Sequence, residues 1–528
     1  MKRYLIVFTL LLLVVLGCKK DFLDSKPLDK YSDEDVWRDS TLAGLFLNNL
    51  YATLPTQFGG TMTDAYTDEL YSSGNVSIYN GTFLASSVPY SISNAYDYSY
   101  TSIRRCNIYL ENVNRLPAST AFKKKTTDQA RFIRAFQYAN LINYFGAVPL
   151  ITHAQNLDEN LNVARNSYQE VVNFIVAEMD AINAGANLPY KYTGADVGRV
   201  TRGAALALKS RVLLYAASYN GEWQKAYDAA KAVIAIAGSA GYGLFPKYGE
   251  MFFSANDNNT EVIFDHQYKQ NFQGYNVHFY NLPWGLVPPG PNALNQPTQN
   301  IVNEYEMANG KMINESGSGY DETKPYVNRD PRFDASILYD GSVYTGVTLD
   351  FKPGSNFNPQ YAALTTGYAL RKMEDPAFNP FDMSASYGGG QNNILIRYGE
   401  ILLNLAEASF ELGQAEEART YVNQVRARVG MPPVASGAIS RDKIRHERTI
   451  ELAFEGTRLW DIRRWKLGPE KLGTPLNGIS ITQTGTGPRV YTQVKVQDRN
   501  FDPKFYLFPI YQTEIDKNPN LKPNNPGW

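Results

Sequence analysis

The chain has 528 residues, of which 51 are Lys or Arg and 52 are Asp or Glu, so a net charge of −1 leaves no basic footprint for nucleic acid. Its length exceeds what one ordinary core needs and allows one large body or two abutting halves. Tyrosine, at 37, outnumbers phenylalanine, at 26, and its flat apolar face with a polar tip suits both a wet core edge and stacking on sugar rings.

Lys2 and Arg3 precede an apolar run from Tyr4 to Leu16, too short to span a bilayer as a helix and of the length of a signal-peptide core. The run ends at Val15-Leu16-Gly17-Cys18, which resembles a bacterial lipobox, with valine where leucine is more usual. Residues 1–17 are therefore expected to be removed and Cys18 to carry a lipid anchor, with Lys19 to Asp24 as a polar tether. Cys106 is the only other cysteine, so with Cys18 acylated no intramolecular disulfide is available. Its setting, RRCNIYLENV, has helical apolar spacing and predicts a packed thiol.

Ser32 and Asp35 form a capping-box-like start for a helix carrying Val36, Leu42, Leu45, Phe46 and Leu50. From Pro55 to about Tyr90 the chain reads as a long loop with interleaved tyrosines, Tyr79 among them, before a helix through Tyr96, Tyr100, Ile103 and Leu110. Thr126 and Gln129 predict the opening of a buried helix, QARFIRAFQYANLINYFGAVPL, ended near Gly146 and Pro149. Ser167 and Glu170 cap another, through Met179 to Gly185. Two helix pairs of about 35 residues follow, one from Arg202 and one from Ile394, with Gly221/Ala226 and Gly413/Ala418 at the spacing that lets tetratricopeptide hairpins approach closely. Between them, residues 238–391 are rich in Asn, Gly, Pro and Tyr, with short strand-like runs at Glu261 to Phe264 and Ser336 to Tyr339.

Ile444 to Trp465, IRHERTIELAFEGTRLWDIRRW, combines an apolar helical face with five arginines against Glu447, Glu451, Glu455 and Asp461. The three glutamates stand four apart, a like-charge row that needs arginines from this and other segments. This predicts a partly buried ion network, in a helix capped by Ser440 and bent at Gly456; acid/base catalysis is the rival reading. The remainder to Trp528 reads as loop-rich. Motifs for nucleophilic hydrolysis, phosphate loops, dinucleotide binding and zinc are absent, and the four histidines lack ligand spacing, so no metal or cofactor is expected.

Several of these stretches resemble the SusD/RagB family of outer-membrane nutrient-binding lipoproteins. They are Cys18-Lys-Lys-Asp-Phe-Leu-Asp24 with Pro27, Gln129 to Leu150, Gly198 to Tyr215, Asn328 to Phe333, Ile394 to Gly430, Ile444 to Trp465 and the final FPI…TEI…NPNL…NPG, all in the family's order. Departures include Thr457, where histidine is common, and Tyr511, where proline is common. The resemblance implies a mainly α fold, tetratricopeptide-like hairpins in an N-terminal half (18–237) scaffolding a loop-rich C-terminal half (238–528) with a few short strands, in one compact body. It further implies a non-catalytic protein, lipid-anchored at the cell surface, that binds an oligosaccharide and delivers it to a SusC-like TonB-dependent transporter. A peptide-binding member of the family, a glycan-active enzyme and a purely structural scaffold are the alternatives. The ligand-binding residues are expected among loop aromatics: Trp284 first, then Tyr280, with Tyr275 and Phe279 nearby and Asn276 and Asn281 for hydroxyls, and Tyr96 and Tyr79 elsewhere.

Overall fold

The computed structural model describes residues 33–55, 62–74, 78, 80–270, 274–290, 292–382 and 388–528; Cys18, Ser32 and Tyr79 lie outside the described residues. In the first half run α1 (Asp33–Arg38), α2 (Ser40–Tyr51), α3 (Tyr90–Asn112), α4 (Thr120–Phe145), α5 (Tyr168–Gly185), α6 (Arg202–Asn220) and α7 (Trp223–Ala240). The longer helices of the second half are α8 (Tyr398–Glu411), α9 (Ala415–Arg428), α10 (Arg441–Glu451) and α11 (Arg458–Arg464). The fold is mainly α, as expected.

From α3 to α7 each helix packs on the next, and α8 then packs on α7, so the second pair continues the stack begun by the first across the loop-rich insertion. Small residues make this close approach possible: Ala226 and Ala230 on α7, Ala406 on α8 and Ala418 on α9 are buried. Gly221 ends α6 in the left-handed region at φ 75° with its N–H on the Ala217 carbonyl, which turns the chain into α7.

Local polar groups set the helix ends. Ser167 and Glu170 make the expected reciprocal cap at the start of α5. By contrast, α4 starts six residues before Thr126, because Ser119 caps it by accepting from Phe122 N at 3.2 Å. Thr126 sits inside the helix with its hydroxyl donated to the Phe122 carbonyl at 3.0 Å. The helix expected to run on from Ser32 is broken at Asp39, whose carboxylate accepts from Thr41 N at 2.7 Å and caps α2; of the apolar residues that helix carries, Leu45 is exposed.

Among the described residues, two strand pairs exceed two residues. β1 (Val262–His266) runs antiparallel to β2 (Asn393–Arg397) and ties the start of the insertion to the start of α8. β3 (Leu476–Gln483) and β4 (Arg489–Gln497) form a hairpin where a loop was expected. Cys106 is fully buried, and burial pushes its thiol up to about 12, as a packed, unreactive thiol requires.

The stretch from α10 to α11 lies at the centre of the fold. Ser440 caps α10 as expected, but the helix ends at Glu451, five residues before Gly456. The reason is long-range: Phe454 N donates to Glu69 at 3.1 Å and Gly456 N to Asp64 at 3.0 Å, which holds Phe454 at φ 65° and stops the helical ladder. Asp64, Asp68 and Glu69 thus make the first part of the expected 55–90 loop a buried partner of this stretch.

Arginines and lysines from other segments neutralise the glutamate row. Glu447 binds Arg332 and Arg426; Glu451 binds Arg332, Arg397 and Arg428; Glu455 binds Arg397 and Lys372. Asp330, Glu261, Glu306 and Lys443 extend the chain, giving six acids and six cations in one continuous buried network. Burial alone would raise the Glu451 carboxyl, but Arg428, Arg397 and Arg332 outweigh it and hold the group ionised, well below the usual carboxylate range. Arg448 and Arg464 share Asp461, and Arg458 pairs with Asp68. Arg445 and Arg463 are not part of the network: Arg445 lies over the Trp465 ring at 5.1 Å, and Arg463 over Phe508 at 4.1 Å.

Candidate functional site

The aromatic loop from Tyr275 to Trp284 divides by packing. Tyr275 is buried; its N–H donates to Gly389 O at 2.8 Å, its carbonyl accepts from Gly389 N at 2.9 Å, and its ring packs on Tyr268 at 5.1 Å. Phe279 turns edge-on to Phe378 at 6.1 Å. Both are packing residues. Tyr280 and Trp284 are half-buried and remain partly open to solvent.

A buried polar cluster fixes the loop. His278 holds Glu374 at 2.6 Å through Nδ1 and Gln391 at 2.9 Å through Nε2, with its ring stacked on Phe378 at 4.6 Å. Asn281 donates to the same Glu374 at 3.1 Å and accepts from Asn295 at 3.0 Å. Asn281, expected to receive ligand hydroxyls, is therefore fully committed to the scaffold and 1 % exposed. The loop closes through Ala293 N on Leu282 O at 3.0 Å and rests on an apolar cluster that includes Leu282, Val287, Phe351 and Leu364.

Trp284 acquires a partner no sequence motif announced. The ring of Tyr361, on the short turn Gln360–Ala362, stands 4.9 Å from it at an interplanar angle of 86°. Tyr361 is 75 % exposed and Trp284 half-buried, so the two rings form a corner that is partly open to solvent. Gly285 allows the approach: at φ 83°, a Cβ there would meet the Phe357 ring at 3.1 Å and Asn356 O at 3.2 Å. The sequence held only a weak signal for Tyr361, an aromatic in a proline- and asparagine-rich stretch.

Tyr96 is a correction. It is 5 % exposed, with Phe145 and Tyr511 edge-on at 5.3 and 5.8 Å, so its ring is covered and has no free face for a ligand. Two cavities of about 860 and 530 Å³ lie along α4 and α11, share Asn143, Tyr215 and Trp460 as a common wall, and include neither Trp284 nor Tyr361. Among the described residues, no group of three His, Cys, Asp or Glu side chains could hold a metal ion, and no helix is long and apolar enough to cross a membrane.

The stack, the buried network and the loop corner define an α-helical scaffold that presents an aromatic loop. The chain belongs to the SusD family: the family model described as SusD family matches residues 256–528, just over half of it. A second, described as starch-binding associating with outer membrane, matches residues 21–214. SusD-like protein P2 of Formosa agariphila is 26 % identical over 563 residues that span 100 % of both chains. A crystal structure of a SusD-like protein from Bacteroides fragilis superposes with a TM-score of 0.83 at 28 % identity, covering 96 % of this chain and 100 % of the other. A SusD-like carbohydrate binding protein from the same species gives 0.78 at 26 % identity, with 92 % and 99 % covered.

Proposed function

We propose that the protein is a cell-surface lipoprotein, anchored in the outer membrane through Cys18, that binds an oligosaccharide at the Trp284–Tyr361 corner and passes it to a SusC-like TonB-dependent transporter. The observation that carries the binding site is the right-angle pair of rings at 4.9 Å, Tyr361 exposed and Trp284 half-buried, beside a loop anchored by the buried Asn281–Glu374 hydrogen bond. Flat, rigid side chains of this kind stack on the apolar faces of sugar rings without losing much rotamer freedom. Family membership supports the class of ligand, since one similar structure is a SusD-like carbohydrate binding protein and the starch-binding protein SusD of Bacteroides thetaiotaomicron is 30 % identical over 163 residues. The protein acts without catalysis: Glu447, Glu451 and Glu455, which an enzyme reading would use, are buried in ion pairs.

Affinity electrophoresis against a panel of polysaccharides, followed by product analysis after prolonged incubation, tests this reading. Retardation by at least one glycan with no new products supports it. Release of shorter sugars would make the protein an enzyme, and binding only to peptides would move it to the peptide-binding branch of the family.

A further inference from the structure

The cavity of about 860 Å³ between the end of α4, α6, α11 and the C-terminal tail has a one-sided charge. Arg165, Arg463, Arg464, Lys466, Lys504 and Lys522 line it, and no Asp or Glu does. Arg464 has its counter-charge in Glu407, at 2.6 Å through both nitrogens. Arg165 is committed to neutral acceptors, the carbonyls of Ala147 at 2.8 Å and Pro523 at 2.7 Å and the side chain of Asn525. Lys466 and Lys504 rest over the rings of Tyr506 and Trp528, at 4.4 and 4.6 Å.

Arg463 is the unusual member. It is 2 % exposed, donates one hydrogen bond of 3.2 Å to Asn143 O, and leaves Nε without a partner. Among the described residues its guanidinium otherwise meets the faces of Phe508 at 4.1 Å and Trp460 at 5.4 Å and no carboxylate. A buried cation without a counter-charge is costly to desolvate, and an anion in the cavity would relieve that cost. Burial pushes the group down to about 10, which leaves it protonated at neutral pH. The Tyr215 hydroxyl, on the same wall, is a second buried donor with no partner.

We propose that this cavity is a second ligand site, for a small saccharide carrying a carboxylate or sulfate group, with the anion held by Arg463 and the sugar ring against Trp460 and Tyr506. The volume lies within the range of small-molecule sites, and a few convergent donors on an aromatic wall are their usual makeup. The inference goes beyond the loop corner and is independent of it, because neither Trp284 nor Tyr361 lines this cavity.

Calorimetry of the purified protein with glucose 6-sulfate, glucuronic acid, glucose and sodium sulfate tests it. At least one charged sugar should bind, about tenfold or more tighter than glucose or sodium sulfate and more weakly as salt rises. Arg463→Gln should abolish binding. Because that variant can also disturb folding, the double variant Lys466→Asn, Lys522→Ser serves beside it: both side chains are exposed, and asparagine tolerates the φ of 61° at position 466. It should weaken the charged sugar at least fivefold in a protein of unchanged melting temperature, since the two lysines supply attraction in series with Arg463. Trp284→Ala should bind the charged sugar as the wild type does. Equal affinity for glucose, equal affinity for sodium sulfate, no heat with either charged sugar, or wild-type affinity in the double variant would each overturn the proposal.

Discussion

Replacing Glu451 with Gln should unfold the protein far more readily than any single change at its surface. The carboxylate is fully buried and lies 2.7 Å from Arg397 and 3.2 Å from Arg332, with Arg428 also paired to it. Glutamine keeps the volume and removes the charge, so three guanidiniums that balanced it face one another in a low-dielectric interior. Breaking a buried pair by removing one partner costs about 3–5 kcal/mol. Glu411→Gln is the contrast: its partner Arg441 has a side chain 51 % exposed, and loss of a surface pair costs about 0–1 kcal/mol. Denaturant unfolding followed by tryptophan fluorescence measures both, with the change in midpoint giving the difference at constant slope. A Glu451→Gln midpoint within error of the Glu411→Gln midpoint would refute the view that the network holds the C-terminal half together.

Stability should peak in mildly acidic solution. Asp68, Glu306, Asp330, Glu451, Glu455 and Asp461 are depressed, because paired cations outweigh the effect of burial; their contribution is present above the unfolded carboxylate range and is lost as pH falls below about 4. Burial, with Glu455 adding to it, raises Asp64 from near 3.8 to about 7, so its contribution is complete below 3.8 and is lost as pH rises through about 7. The denaturation midpoint should therefore fall as pH rises from about 4 to about 7 and level off above that, and Asp64→Asn should flatten that fall; an unchanged slope would reject the assignment. Gly388→Ala, where a Cβ would meet the Tyr275 carbonyl carbon at 2.5 Å at φ 93°, should displace the aromatic loop at a cost of about 1–3 kcal/mol, seen as lost glycan affinity in a protein that still folds. Cys18→Ala should move the protein from the membrane fraction to the soluble one, since a multiply acylated cysteine is the proposed attachment; retention in membranes would contradict it.

How much of this was legible depended on the range of the forces involved. The first helix pair and the Ser167 cap are local, written in periodicity and in neighbours three or four residues apart, and they appear where the sequence places them, whereas the second pair, expected from Ile394, begins at Tyr398 because Asn393 to Arg397 pair as strand β2. The end of α10 was misplaced because it is set by Asp64 and Glu69, which lie 392 and 385 residues away in sequence. Charge counting found the glutamate row but grouped Arg463 with its neutralisers, since composition does not show which way a buried arginine faces. The β3–β4 hairpin was missed although Val490, Thr492 and Val494 alternate with polar residues, because glycines and prolines nearby read as loop. Trp284 was legible as a loop aromatic, whereas Tyr361 became its partner only through the fold, and Tyr96, on a helix, was claimed by the core.

Calorimetric titration of the cognate glycan, identified by affinity electrophoresis, into wild type, Trp284→Ala and Tyr361→Ala tests the central claim most directly. A buried aromatic contact contributes about 1–3 kcal/mol, so each variant should bind roughly five- to hundredfold more weakly while its melting temperature stays at the wild-type value. Wild-type affinity in both well-folded variants would remove the Trp284–Tyr361 corner from the binding site.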